Sequence, residues 1–196
     1  MNAAALTRVA AREESRRTSL VGMVMALGSW TMLFVSLFFS YAVLRLRAGE
    51  WPPDGLEPLP RLLPFLNTLV LAASSLVLHA GVRSAAAVRP RALLSALRRT
   101  LALGSLFLAL QLAVWIPLWR SGFRMDSGVF GSIFYGLTVF HALHVLAGLV
   151  ALLVLVPGAA KGRWVSGAQS PVRLTAMFWH FVDAVWVLMF VTIYLL

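Results

Sequence analysis

"SGVFGSIFYGLTVFHALHVLAGLVALLVLVPGAA", residues 127–160, is a run of 34 residues without a formal charge, bounded by Asp126 and Lys161. A helix needs roughly 20 apolar residues to cross the hydrocarbon of a bilayer. The run is long enough, and four others resemble it. Uncharged stretches occupy residues 18–44, 62–82 and 100–119, and residues 174–196 carry one charge, Asp183. Lipid leaves no partner for unpaired backbone groups, so open strands are excluded and helices remain. The sequence therefore predicts an all-α integral membrane bundle of five transmembrane helices. Their expected spans are about 20–44, 62–82, 98–119, 129–157 and 173–196, and together they form one domain, 20–196. A basic tail, 1–19, precedes them as a loose or surface-lying segment.

Composition agrees. Of the 196 residues 60% are hydrophobic and 12% charged, about half the charged fraction of a soluble domain. No cysteine is present, which excludes disulfides, thiolate metal sites and CxxC redox chemistry. The net charge of +10 invites a nucleic-acid reading, but the basic residues are sorted by loop. Arg8, Arg12, Arg16, Arg17, Arg83, Arg89, Arg91, Arg98, Arg99, Lys161, Arg163 and Arg173 fall on one side of the predicted topology. Only Arg45, Arg47, Arg61, Arg120 and Arg124 fall on the other. Basic loops stay cytoplasmic, so the N-terminus is expected inside and the C-terminus outside. The charge serves topology and anionic lipid, and no nucleic-acid partner is expected. The first span is too long for a signal h-region and reads as a retained helix. The proline-rich loop 51–60 reads as an extended connection, with Trp51 and Trp119 at the membrane interface.

Polar residues inside the spans carry the functional information, because an ionisable group in lipid normally faces protein, water or a partner group. The second span has Asn67, Ser74, Ser75 and His79, the third Gln111, the fourth His141 and His144, and the fifth His180 and Asp183. Each pair three apart lies on one helix face. At 1.5 Å per residue His144 is expected roughly 18 Å, and His180 roughly 12 Å, from the inner ends of consecutive antiparallel helices. The two pairs are thus placed to meet. Histidine and carboxylate are legitimate ligands for zinc, iron or copper. However, the supply is thin, with no HExxH and no paired acids. A metal site and a proton relay stay open as readings. Hydrogen bonds between helices, or to headgroups and water, fit the residues best.

Four blocks of sequence also resemble one family. "FWHFVDAVWVLMFVTIYLL" resembles the closing helix of subunit III of haem-copper oxidases of the cytochrome c oxidase type, whose pattern reads W-H-F-V-D-x-V-W. "GVFGSIFYGLTVFHALHVLAG" resembles the G-S-x-F…T-G-F-H-G-x-H-V block. "WPP" and "LNTLVLAASSLVLH" resemble the second-helix signature. The resemblance covers about residues 30–196 and implies the short, five-helix form.

The resemblance implies a non-catalytic subunit of a respiratory oxidase. It would pack on the catalytic subunit and contact other oxidase subunits, bind phospholipid in a helix cleft, and support proton uptake and stability while oxygen is reduced to water. The chain itself would hold no cofactor, with haem and copper in partner subunits, and would sit multi-pass in the inner membrane of a bacterium. No catalytic residue and no metal ligand is expected. The residues carried over are an intramembrane polar network of His141, His144, His180 and Asp183, and a second-helix motif of Asn67, Thr68 and His79. Arg83 and Arg173 are expected to hold lipid phosphate. The chain departs from the family at Trp30 and Val114, where many members have glutamate, which leaves Asp183 the one intramembrane acid. An accessory subunit of a nitric oxide reductase, a stand-alone intramembrane His/Asp metalloenzyme and a small transporter remain alternatives.

Overall fold

The computed structural model describes residues 3–48, 61–165 and 169–195, and side chains from residue 13 onward. Among the described residues every element is helical: α1 (Ala3–Arg47), α2 (Leu62–Ala86), α3 (Pro90–Arg120), α4 (Val129–Ala160) and α5 (Ser170–Met189), which continues as a π-helical segment, Phe190–Leu195. Five helices are long and apolar enough to cross a membrane, as the charge-free runs predict. The loop 51–60, with Trp51, lies outside the described residues.

The helices outrun their apolar spans. α1 passes from Ala3 through the basic segment into the span without a break, because Ala, Arg and Glu are all good helix formers. α3 begins at Pro90, eight residues before its expected start at 98. Proline suits a first helical turn, where its missing N–H has no intrahelical partner to lose.

Two turns that close helices on the same side share one hydrogen-bond pattern. Val88 N–H donates to Ala85 O and Arg89 N–H to Ser84 O after α2, while Gly162 N–H donates to Ala159 O and Arg163 N–H to Gly158 O after α4. Both central residues have positive φ, +68° at Gly162 and +55° at Val88. Glycine adopts this conformation freely, but a β-branched valine is strained there.

Helices α2, α3, α4 and α5 form a closed antiparallel ring in which each contacts its neighbours in sequence and α5 returns to α2. Short connections favour this arrangement. α1 lies outside the ring against α4 and α5. The ring closes tightly where glycines face large side chains. A Cβ on Gly104 would meet the Trp179 indole at 2.6 Å, one on Gly148 would meet the same indole at 2.8 Å, and one on Gly81 would meet the Ala96 Cβ at 2.8 Å. Trp179 is 1% exposed and occupies the room that both Gly104 and Gly148 leave. Small residues allow this approach, which supplies the dispersion contacts that water-driven burial cannot supply in lipid.

Candidate functional site

The intramembrane polar residues form three groups, and α2 takes part in two of them. The first runs along the inner side of the ring. Trp179 Nε1 donates to Ser74 Oγ at 3.0 Å, and nearly two turns further along the same helix pair Trp186 Nε1 donates to Thr68 Oγ1 at 2.9 Å. Asn67 Nδ2 donates to Gln111 Oε1 at 3.2 Å, joining α2 to α3. The Thr68 and Ser74 hydroxyls pass their own hydrogens to backbone carbonyls, Pro64 O at 2.8 Å and Leu71 O at 2.7 Å. Each hydroxyl therefore acts as donor and acceptor at once. Asn67 and Ser74 are fully buried and Gln111 is 1% exposed. Asn67 and Thr68, predicted as a motif, are thus ties between helices.

The second group is at His141. It is 1% exposed, with its ring 5.2 Å from that of Trp186 and 5.7 Å from that of Phe107, edge to face with the latter. Neither ring nitrogen has a hydrogen-bond partner. His144, one turn away on α4, points elsewhere. Its Nδ1 lies 2.7 Å from Phe140 O, and its ring packs on Trp30 (5.3 Å) and Phe34 (5.2 Å) of α1. Three-residue spacing placed the two imidazoles on neighbouring positions. The intervening angle of about 60° is enough to send one into the ring and the other toward α1.

The third group lies on the outer side of the α2/α5 seam. Ser75 Oγ and His180 Nδ1 are 2.5 Å apart. The His79 ring is 6.1 Å from that of His180. Asp183 stands beside Ser75 and His180, with one oxygen, Oδ1, buried and without a hydrogen bond. No hydrogen bond or ring contact joins His141 or His144 to His180 or Asp183. The four residues expected as one network therefore fall into three environments, and the carboxylate's neighbours come from α2. Ser75 was visible in sequence only as half of a Ser-Ser pair in an apolar run, and its role depends on which helix α5 packs against.

Arg83 and Arg173 are both exposed. They lie at a similar level on α2 and α5, as the bond from Gln169 Nε2 to Ala85 O shows. Of the two positions where the family pattern has carboxylates, Val114 is 1% exposed. Trp30 fills the gap between α4 and α5 by packing on His144 and, at 5.0 Å, on Phe178. Among the described residues no group of three or more His, Asp or Glu side chains is placed to hold a metal ion.

The family model described as cytochrome c oxidase subunit III matches residues 11–196. The chain belongs to the cytochrome c oxidase subunit III family. It is 34% identical to cytochrome c oxidase subunit 3 of Synechocystis over 90% of this chain and 75% of that protein. It is 32% identical to the subunit of Thermostichus vulcanus, over 90% and 87%. It is 36% identical to a probable subunit 3 of Nocardia farcinica, over 89% and 86%. The match includes the whole ring and most of α1. Family membership makes this a multi-pass membrane protein of the respiratory electron-transport chain that works with other oxidase subunits. Within this subunit the Asn67–Gln111, Thr68–Trp186 and Ser74–Trp179 pairs are polar ties of the ring.

Proposed function

We propose that this chain is a non-catalytic subunit that packs on the haem- and copper-bearing subunit of a bacterial oxidase, in the plasma membrane, with its N-terminus in the cytoplasm. In this role it stabilises the catalytic subunit and sustains proton uptake while oxygen is reduced to water. One observation carries the reading. Inside the ring Asn67, Thr68, Ser74, Gln111, Trp179 and Trp186 are engaged in hydrogen bonds from helix to helix, and among the described residues no group of three or more His, Asp or Glu side chains gathers at one point.

Lipid binding has its own support. A groove of 690 Å³ runs between α1 and α5, walled by Val35, Phe38, Phe39 and Leu188, with Arg45 and Tyr41 at one end. An acyl chain fits the walls, and a phosphate fits the guanidinium. Arg83 and Arg173, exposed at the opposite membrane face, are the second place for phosphate. The sorting of basic loops supports the orientation.

The test is extraction of a tagged chain in mild detergent, followed by haem spectroscopy and by rates of oxygen and nitric oxide consumption. We expect haem to co-purify and the preparation to consume oxygen. A preparation that reduces nitric oxide alone would move the subunit to that class of reductase. A chain that emerges without any haem-bearing partner would overturn the assignment.

A further inference from the structure

Inside the ring, three side chains from three elements stand together with hydrogen-bonding capacity left over. Asn67 of α2 and Gln111 of α3 share one bond, Nδ2 to Oε1 at 3.2 Å. Tyr194, in the π-helical continuation of α5, stands beside Gln111. All three are buried, at 0%, 1% and 3% exposure. Yet Asn67 Oδ1, Gln111 Nε2 and Tyr194 OH each lack a hydrogen-bond partner. Trp115, one turn beyond Gln111 on α3, carries a further such group, its Nε1. Gln111 is nine residues from Arg120, about 14 Å along the helix, so bulk water and headgroups are at a distance.

The leftover capacity is complementary. The Gln111 amide has N–H groups to donate, the Tyr194 hydroxyl a hydrogen, and Asn67 an oxygen to accept. Exchanging O and N in both amides reverses the bond between them and again leaves one donor and one acceptor. Neighbouring polar groups that do not bond directly are what a bridging water joins. In hydrocarbon the alternative is an unpaired donor and an unpaired acceptor, which costs more than one interhelical tie gains. The chemistry also selects the ligand. A cation is repelled by the amide N–H and an anion by the amide oxygen, and the burial of all three groups excludes a larger polar molecule. A water both accepts and donates, and about three bonds is what a buried water normally makes.

We propose that Asn67 Oδ1, Gln111 Nε2 and Tyr194 OH bind one structural water inside the ring, which joins α2, α3 and the π-helical end of α5. The water accepts from Gln111 and Tyr194 and donates to Asn67. This gives Asn67 a role that its single bond to Gln111 does not exhaust. The site is built by this chain alone, so its failure leaves the assembly role given above standing.

Electron cryomicroscopy of the intact oxidase, at a resolution where buried waters are visible elsewhere in the complex, tests this. We expect a density peak at hydrogen-bonding distance, about 2.7–3.2 Å, from all three atoms. Direct bonds from Gln111 Nε2 to Asn67 or Tyr194 with no peak between them overturn the proposal, and so does a peak that reaches only one or two of the three. A double variant gives the second arm. Asn67→Leu with Gln111→Met replaces the amide pair by apolar side chains of similar size, a change that leaves no orphaned amide and is therefore mild for the fold. The peak should be lost while the subunit and the haem spectra stay as in the wild type. A peak that persists in the double variant overturns the proposal. Should the double variant fail to assemble, the wild-type map decides alone.

Discussion

Helix α1 and helix α5 are both apolar enough to cross a membrane, yet the protein holds them by different means. Of the most apolar stretch of α5, 50% is buried inside the protein, against 6% for α1. α5 enters a ring where glycines admit its indoles and where hydroxyls receive their N–H groups. α1 leans on the outside through aromatic faces: Trp30 on Phe178 and His144, and Phe34 on Phe181 at 6.4 Å. At its far end Tyr41 OH donates to Thr192 O at 2.9 Å, and Arg45 Nη1 reaches the same oxygen at 3.4 Å. Hydropathy places a helix in the bilayer. It does not place the helix in a bundle, because lipid satisfies an apolar side chain as well as protein does. Close backbone approach and directional bonds provide the difference.

Removing the largest shared side chain is the most severe way to break this contrast. Trp179→Ala leaves a cavity between Gly104 and Gly148 and strands Ser74. We expect it to cost about 3–5 kcal/mol and to lower the unfolding temperature in mild detergent more than any substitution on α1. Adding bulk is the next test. Gly104→Val and Gly148→Val drive a methyl into the Trp179 indole and should each cost about 1–3 kcal/mol. On α1, a Cβ at Gly22 or Gly28 meets nothing within 4 Å, so Gly22→Val and Gly28→Val should stay within about 0.5 kcal/mol of wild type. Equal effects at the two sets of glycines would remove the distinction drawn here.

Smaller substitutions sharpen it. Trp186→Phe and Thr68→Val each delete the same bond and should each cost about 0.6 kcal/mol. The double variant should cost no more than one of them, since the pair shares a single interaction. The smallest effect is expected at Tyr41→Phe. It should leave the unfolding temperature of the ring unchanged and increase protease access or cross-linking mobility at the Thr192 end of α1.

Much of this architecture is legible from charge alone. Arg61, Arg120, Asp126 and Lys161 bracket the spans within a few residues of the helix ends, because a charge in hydrocarbon is costly wherever the chain folds. The longer helices were less legible. The segment 1–17 and the start of α3 are charged, so hydropathy ends where the helix does not. At the site, the residues were found but their grouping was not. Asn67, Thr68, His141, His144, His180 and Asp183 all stand out as polar groups in apolar runs. Spacing by three suggests a shared face, yet it cannot say which helix that face meets. His144 went to Trp30 and Phe34, while His180 and Asp183 went to Ser75. Spacing does not mark Trp179 and Trp186 either, which are hydrogen-bond donors to α2.

The sequence by itself determined that the chain crosses a membrane five times, that it belongs with oxidase subunit III, and which residues are costly to place in lipid. These follow from transfer free energies and motif order, which are properties of the linear chain. Only the tertiary structure decided that α2 to α5 close into a ring with α1 outside. The same holds for His141 lying between two aromatic rings without a partner and for Asp183 standing beside Ser75 on the α2/α5 seam. Those outcomes depend on which helix faces approach within bonding distance, and that is set by glycine-to-indole fit across the bundle.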